Sequence, residues 1–308
     1  MNSSTAPFEW LLDSLEMDAS LFHVGRYCGS WQASTHGLAR ASFHLLVQGE
    51  CWLHLHEHEQ SITLHAGDAV FLLRDLPYRL SDAASPEQAQ CNPRIAMQTL
   101  DTNARDGVSL VCGFFHFRPG LSSLIIDALP DHLILRADDP GSSAARRLFE
   151  LIMEECSRSE GPAGALLERL SHLLFLYVLR EQSQAVADLG GLLGLARHPQ
   201  FAALLERLIA EPQQAWPLEQ MAELTGLSRS AFCKRFQELA GTSPGHVLLS
   251  LRMRQACRLL QQGQPVAEAA DACGYQSVAA FTRAFSKVVG VLPGAYRKQF
   301  CGPTAIGQ

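Results

Sequence analysis

The 308-residue sequence predicts a two-domain α+β chain: short antiparallel strands forming a barrel or sandwich, then helices, then an all-α domain carrying a helix-turn-helix twice. Three observations predict it. Between about 20 and 135, short β-forming runs are separated by turn residues. From 142 to 184, apolar residues recur at helical spacing. From Met221 to Pro293, one pattern is written twice: Ser228, Phe232, Phe236, Gly241 and Pro244 are matched in spacing by Ser277, Phe281, Phe285, Gly290 and Pro293.

Residues 8–17 (FEWLLDSLEM) read as a short amphipathic helix. The β-forming runs are 43–55, 62–73, 78–82 and 108–117, broken by Gly, Asp, Asn and Pro clusters. Two helices follow at 142–159 and 163–182, on either side of Gly161-Pro162. In the second, Leu166, Leu167, Leu170, Leu173, Leu174, Tyr177 and Val178 form a stripe wide enough to pack on a barrel, to pair with a second copy, or both. The Gly-rich run 188–199 reads as an interdomain linker, although its leucines suit packing against something. The expected division is 1–140 for the β domain, 141–187 for a helical dimerisation segment, 188–200 for the linker and 201–301 for the repeat-bearing domain.

Each copy of the repeat has a physical reading. Pro217 and Pro265 suit helix starts, and Gly226 and Gly274 permit the sharp turn between short crossed helices. Ser228 and Ser277 are good N-caps, and Gly241 and Gly290 good left-handed C-caps. With the paired phenylalanines inward, Arg229, Ser230, Cys233, Lys234 and Gln237 face outward in the first copy, and Ser277, Val278, Ala279, Thr282, Arg283 and Ser286 belong to the equivalent face of the second. Small or polar side chains together with a cation at the matched position, on an apolar-backed rod, suit entry into the major groove. Lys234 and Arg283 stand at the same place in each copy, six residues past the cap. Between the copies, Pro244 to Gln262 reads as one helix about 28 Å long, comparable with the roughly 34 Å between successive groove windows on one face of B-DNA.

Charge agrees with this division. Residues 201–308 carry 11 Lys and Arg against 7 Asp and Glu, whereas the rest of the chain carries 14 against 24. A mildly basic domain tethered to an acidic one suits a specific DNA binder that avoids promiscuous phosphate binding. No apolar run approaches 18 residues and the first ten residues lack a basic region, so neither a membrane span nor a signal peptide is expected. Nine cysteines without a CxxC pair then point to reduced thiols in the cytoplasm.

Residues from about 201 to 300 resemble the DNA-binding domain of the AraC/XylS family of transcription regulators, above all in LRMRQACRLLQQGQPVAEAADACGYQSVAAFTRAFSKVVGVLPGAYRK. The resemblance implies two helix-turn-helix motifs joined by a long helix, with 229–239 and 278–289 entering adjacent major grooves of promoter or operator DNA. The string LHAGDAVFLLRDLPYRL likewise resembles the Gly-Asp turn and following strands of the cupin-type barrel found in many such regulators. That implies an effector-sensing barrel. The partners expected are double-stranded DNA, an unknown small effector, a second copy of the chain, and RNA polymerase if the regulator is an activator.

Within the strands, His54, His56 and His58 alternate, which invites a metal reading. Cys51, Leu53 and Leu55 are the natural inward set, however, and place the histidines outside. Tyr78 stands where a metal-binding cupin would carry another His. No metal, cofactor or catalytic residue is therefore expected, and the rival reading, a metal-dependent cupin enzyme, lacks its ligand triad. His44 and His116 read as satisfied barrel histidines. The candidates for effector or redox response are Cys28, Cys112, His44 and Tyr78, and the two cysteines act as redox sensors only if a thiolate is stabilised and exposed.

Overall fold

The structure is a computed structural model that describes residues 6–56, 60–100, 106–139, 143–158, 164–185 and 190–301. It divides into two compact units, each assembled from separated stretches of chain. One comprises Met17–His116 and Pro130–Ala187, the other Met1–Glu16, Phe117–Leu129 and Asp188–Gln308.

The first unit holds the expected antiparallel β architecture, closed by two sheets. Strands β1 (Met17–Tyr27), β3 (Ala41–Gln48), β6 (Ala69–Leu72), β8 (Gln98–Thr99), β9 (Val108–Phe117) and β10 (His132–Leu135) form a six-stranded sheet in the order β10-β6-β3-β9-β1-β8. Strands β2 (Gln32–Ala33), β4 (Glu50–Leu55), β5 (Gln60–His65) and β7 (Tyr78–Ser81) form the other, in the order β2-β7-β4-β5. The core between them takes Cys51, Leu53 and Leu55 from β4, Leu46 from β3, Leu110 and Cys112 from β9, and Tyr27 stacked on Trp31 at 4.2 Å. Period-two alternation puts the inward set of β4 where the sequence indicated.

β1 was not legible as a separate strand. Its sequence, MDASLFHVGRY, alternates poorly, and Gly25 interrupts it. That glycine has a reason: a Cβ there would strike the Gln98 carbonyl of neighbouring β8.

Helices α2 (Pro86–Cys91), α4 (Ser143–Cys156) and α5 (Gly164–Ala185) belong to this unit. α5 packs Phe175 on Phe115 of β9 and Phe71 of β6, with centroids 4.9 and 5.6 Å apart, and Glu168 accepts the backbone N–H of Leu21 on β1. The wide stripe splits accordingly. Leu167, Leu174, Phe175 and Val178 are buried, whereas Leu166, Leu173 and Tyr177 are 49%, 46% and 36% exposed.

Among the described residues, the second unit contains α1 (Ala6–Asp13), α3 (Leu121–Ile126) and eight helices from Gly191 onward. The expected linker is in part helix α6 (Gly191–Arg197), which buries Leu192, Leu193, Leu195 and Ala196. It packs against α7 (Pro199–Ala210), α9 (Arg229–Ala240), α1 and α3. The boundaries expected at 140 and 200 therefore do not coincide with the units. The apolar faces of α1, α3 and α6 are buried on the helical unit, with Arg197 lying over Phe8 and Glu16 N–H donating to Ser122 Oγ at 2.9 Å.

Candidate nucleic-acid interface and effector cavity

The repeat folds twice in the same way. In the first copy, α8 (Leu218–Leu224) turns at Gly226, φ 66°, into α9; in the second, α11 (Val266–Ala272) turns at Gly274, φ 78°, into α12 (Val278–Val289). Ser228 and Ser277 accept the N–H groups of Ala231 and Ala280, and Gly241 and Gly290 take left-handed C-caps. Local chemistry alone sets both ends of each helix. Phe232 and Phe236 pack under Phe201, while Phe281 and Phe285 pack between Tyr275 and Tyr296; all four phenylalanines are fully buried. The connecting helix α10 (Pro244–Gln261) spans 18 residues, capped by Ser243.

On α9, Arg229, Ser230, Lys234 and Gln237 are exposed and Cys233 is half-buried. Arg229 is paired with Glu219 of α8 at 2.8 Å. On α12, Val278, Ala279 and Arg283 are exposed, as is the capping Ser277, whereas Thr282 and Ser286 are half-buried and the Ser286 hydroxyl is shielded from solvent. Ser286 thus sits on the flank of the helix instead of at its outward centre. The same helical period adds two residues the sequence reading passed over. Glu238 follows Lys234 by one turn and Lys287 follows Arg283 by one turn, and both are exposed. Extending the period by four residues would have found them.

In the β unit, an apolar cavity of about 320 Å³ opens between the sheets. Phe22, Tyr27, Leu80, Met97, Leu110 and Phe114 line much of it, and Arg94 and His23 are its exposed charged or titratable groups. His44 and Cys112 also line it, with His44 Nδ1 3.1 Å from Cys112 Sγ and Nε2 2.7 Å from the Tyr78 hydroxyl. Tyr78 continues to Thr35 at 2.9 Å, and Thr35 donates to Ser42. Burial holds this network uncharged. It lowers the His44 pKa to about 3, raises Tyr78 to about 12, and pushes the Cys112 thiol far above its ordinary value.

Three of the four effector or redox candidates therefore meet in space. Cys28 stands apart, half-buried, its thiol donating to Gln98 Oε1 at 3.8 Å. His54 points away from the core yet is buried, held by Ser61, Ser81 and the Ala83 carbonyl. His56 is exposed and His58 lies outside the described residues. Among the described residues no three His, Cys, Asp or Glu side chains cluster as metal ligands.

Two family profiles match the chain: a cupin over residues 6–184 and a helix-turn-helix domain over 221–299. An uncharacterized HTH-type transcriptional regulator of Haemophilus influenzae is 29% identical, over 88% of this chain and 91% of its own. A putative AraC-like transcription regulator of Streptomyces antibioticus is 28% identical, over 92% and 93%. The chain belongs to the AraC/XylS family of transcription regulators, with a cupin domain preceding its helix-turn-helix domain. Its curated relatives are regulators of transcription and not enzymes. Among solved structures, ToxT from Vibrio cholerae aligns over 94% of this chain and all of its own, at 11% identity and a TM-score of 0.37. As in the sequence reading, this DNA-binding regulator couples an antiparallel β domain to paired helix-turn-helix motifs. No described helix is long and apolar enough to cross a membrane.

Proposed function

We propose that this AraC-family regulator controls transcription in response to a small, largely apolar effector held in the cupin cavity, and that it binds DNA as a homodimer. The cavity carries the proposal. Its volume falls at the lower end of ordinary ligand sites, much of its wall is aromatic and aliphatic, and its floor of His44 and Cys112, with the Tyr78 hydroxyl bonded to His44 from behind, is polar but uncharged. Such a floor accepts an uncharged group and rejects a buried ion. The exposed residues Leu166, Leu173 and Tyr177 of α5 support pairing of two copies. Lys234 and Arg283 support insertion of α9 and α12 into adjacent major grooves.

The same burial speaks against Cys112 as the redox group, because oxidants attack an accessible thiolate and this thiol is buried and protonated. The effector reading is tested by thermal shift of the full chain against a panel of small apolar compounds, repeated on Leu110→Trp, which fills the cavity. Stabilising compounds should lose their effect in the variant while its DNA binding persists. Equal shifts in both proteins would place the binding elsewhere.

A further inference from the structure

Leu251, Arg254, Gln255, Arg258, Leu259 and Gln262 recur at intervals of three and four along α10 and its cap, so they share one face of the helix. With Trp10 of α1 and with Ile209 and Ala210 of α7, that face lines a cleft of about 280 Å³ within the helical unit. Arg252 fixes its rim. The Arg252 Nε donates to the Pro212 carbonyl and Nη2 to that of Gln214, each at 2.7 Å. Among the described residues, none of those lining the cleft is acidic, and none also lines the cupin cavity.

The protein leaves the charge in this cleft incompletely answered. Arg254 lies over the Trp10 ring at 4.8 Å, with its side chain only 15% exposed. Its Nε is buried without a hydrogen bond among the described residues, the Glu16 carboxylate standing 3.9 Å away. Burial lowers the Arg254 pKa against the pull of Glu16 and Asp13, yet a guanidinium stays charged. One turn further, Arg258 is exposed and has no ion-pair partner among the described residues. The charges acting around this point are those of Arg118, Arg254 and Arg258 against Glu16 and Asp13, which leaves one positive charge in surplus.

Two guanidiniums separated by about 6 Å of helix rise can hold one carboxylate between them with charge-assisted hydrogen bonds. A single surplus charge suits a monoanion over a dianion, because an unpaired charge in a shielded site is costly. Trp10, Ile209, Leu251 and Leu259 supply an apolar wall beside the arginines. A cavity of about 150 Å³ holds benzene, so the cleft admits a molecule of roughly a dozen non-hydrogen atoms. We infer that this cleft is a second small-molecule site, distinct from the cupin cavity, for a monocarboxylate on an aromatic or aliphatic body. The carboxylate sits between Arg254 and Arg258, and the body lies against Ile209 and Leu259. Because α10 joins the two helix-turn-helix motifs, a ligand held between α1 and α10 braces the helix on which both motifs depend.

The test is calorimetric titration of the full chain with 3-phenylpropionate, its neutral amide, 3-phenylpropylamine and inorganic phosphate. The carboxylate should bind with a Kd below about 1 mM, and the amide about tenfold more weakly. The amine and inorganic phosphate should show no binding in that range. Arg258→Gln, at an exposed position, should bring the acid down to the level of the amide. Ala210→Trp, also exposed, fills the cleft and should abolish binding of both, with folding of each variant checked by circular dichroism. Leu110→Trp, which fills the cupin cavity, should leave the acid bound as in the wild type. No binding of the acid to the wild type would overturn the site, as would binding unchanged in Ala210→Trp or lost in Leu110→Trp. Equal affinity for acid and amide, or a preference that survives Arg258→Gln, would overturn the carboxylate contact. Phosphate binding as tightly as the acid would remove the role of the apolar wall and overturn the assigned ligand class.

Discussion

His44 makes the stability of the cupin domain fall in acid, by an amount that can be worked out. The residue is fully shielded and bonded through both ring nitrogens, and burial lowers its pKa from 6.5 to about 3. The unfolded chain therefore binds a proton between pH 6.5 and 3 that the folded chain refuses. Stability is fully present above pH 6.5 and is lost as pH falls, at up to about 1.4 kcal/mol per pH unit, until the folded pKa is reached. At pH 5 the loss from this group is about 2 kcal/mol. The groups facing it, Tyr78 and Cys112, have raised pKa values and do not titrate in this window. His54, whose pKa is also lowered by burial, adds a loss of the same sign. Urea unfolding followed by tryptophan fluorescence reads the domain through Trp31, which is fully buried against Tyr27. Comparing pH 7.5 with pH 5 in the wild type and in His44→Gln separates this contribution. The variant loses two hydrogen bonds, so its stability drops at both pH values, but its difference between them should shrink by about 2 kcal/mol. An unchanged difference would refute the neutral, buried histidine.

Four further outcomes concern α5, the helical unit and the two reading helices. Leu174→Glu should abolish folding of the cupin domain, since Leu174 is fully buried, whereas Leu166→Glu with Leu173→Glu should leave the fold intact and shift dimers to monomers in ultracentrifugation. A fragment beginning at Gly190 should be helical and bind DNA, while one beginning at Phe201 should be less stable by several kcal/mol in thermal melts, because it strips Leu192, Leu193 and Leu195 from their buried sites. Arg283→Ala should weaken operator binding by about 1 to 3 kcal/mol and relax preference at one base. Lys234→Ala, if its ammonium contacts phosphate, should instead weaken all sequences alike and reduce the salt slope by about one unit in titrations at several salt concentrations.

Much of the helical unit was written locally. Ser228 and Ser277 cap, Gly241 and Gly290 terminate, and phenylalanines four residues apart bury one face, so the ends and orientation of α9 and α12 depend on neighbours within a single helix. The alternation of Cys51, Leu53 and Leu55 similarly determined which face of β4 is core, and with it the outward position of His54. The family resemblance added that two such motifs sit on one long helix behind a cupin barrel.

Tertiary structure decided whatever depends on a distant partner. The wide stripe of α5 could have been core or seam; Phe71 and Phe115, which lie far from it in sequence, claim Phe175 and divide the stripe into a buried and an exposed half. The run 188–199 looked like a linker because glycine lowers helix propensity, yet burial of its leucines against α7 and α9 outweighs that deficit in α6. His44 and Cys112 are 68 residues apart and become neighbours only through the pairing of β3 with β9. Their protonation states, neutral imidazole and neutral thiol, then follow from burial, because ionisation is disfavoured where water is excluded.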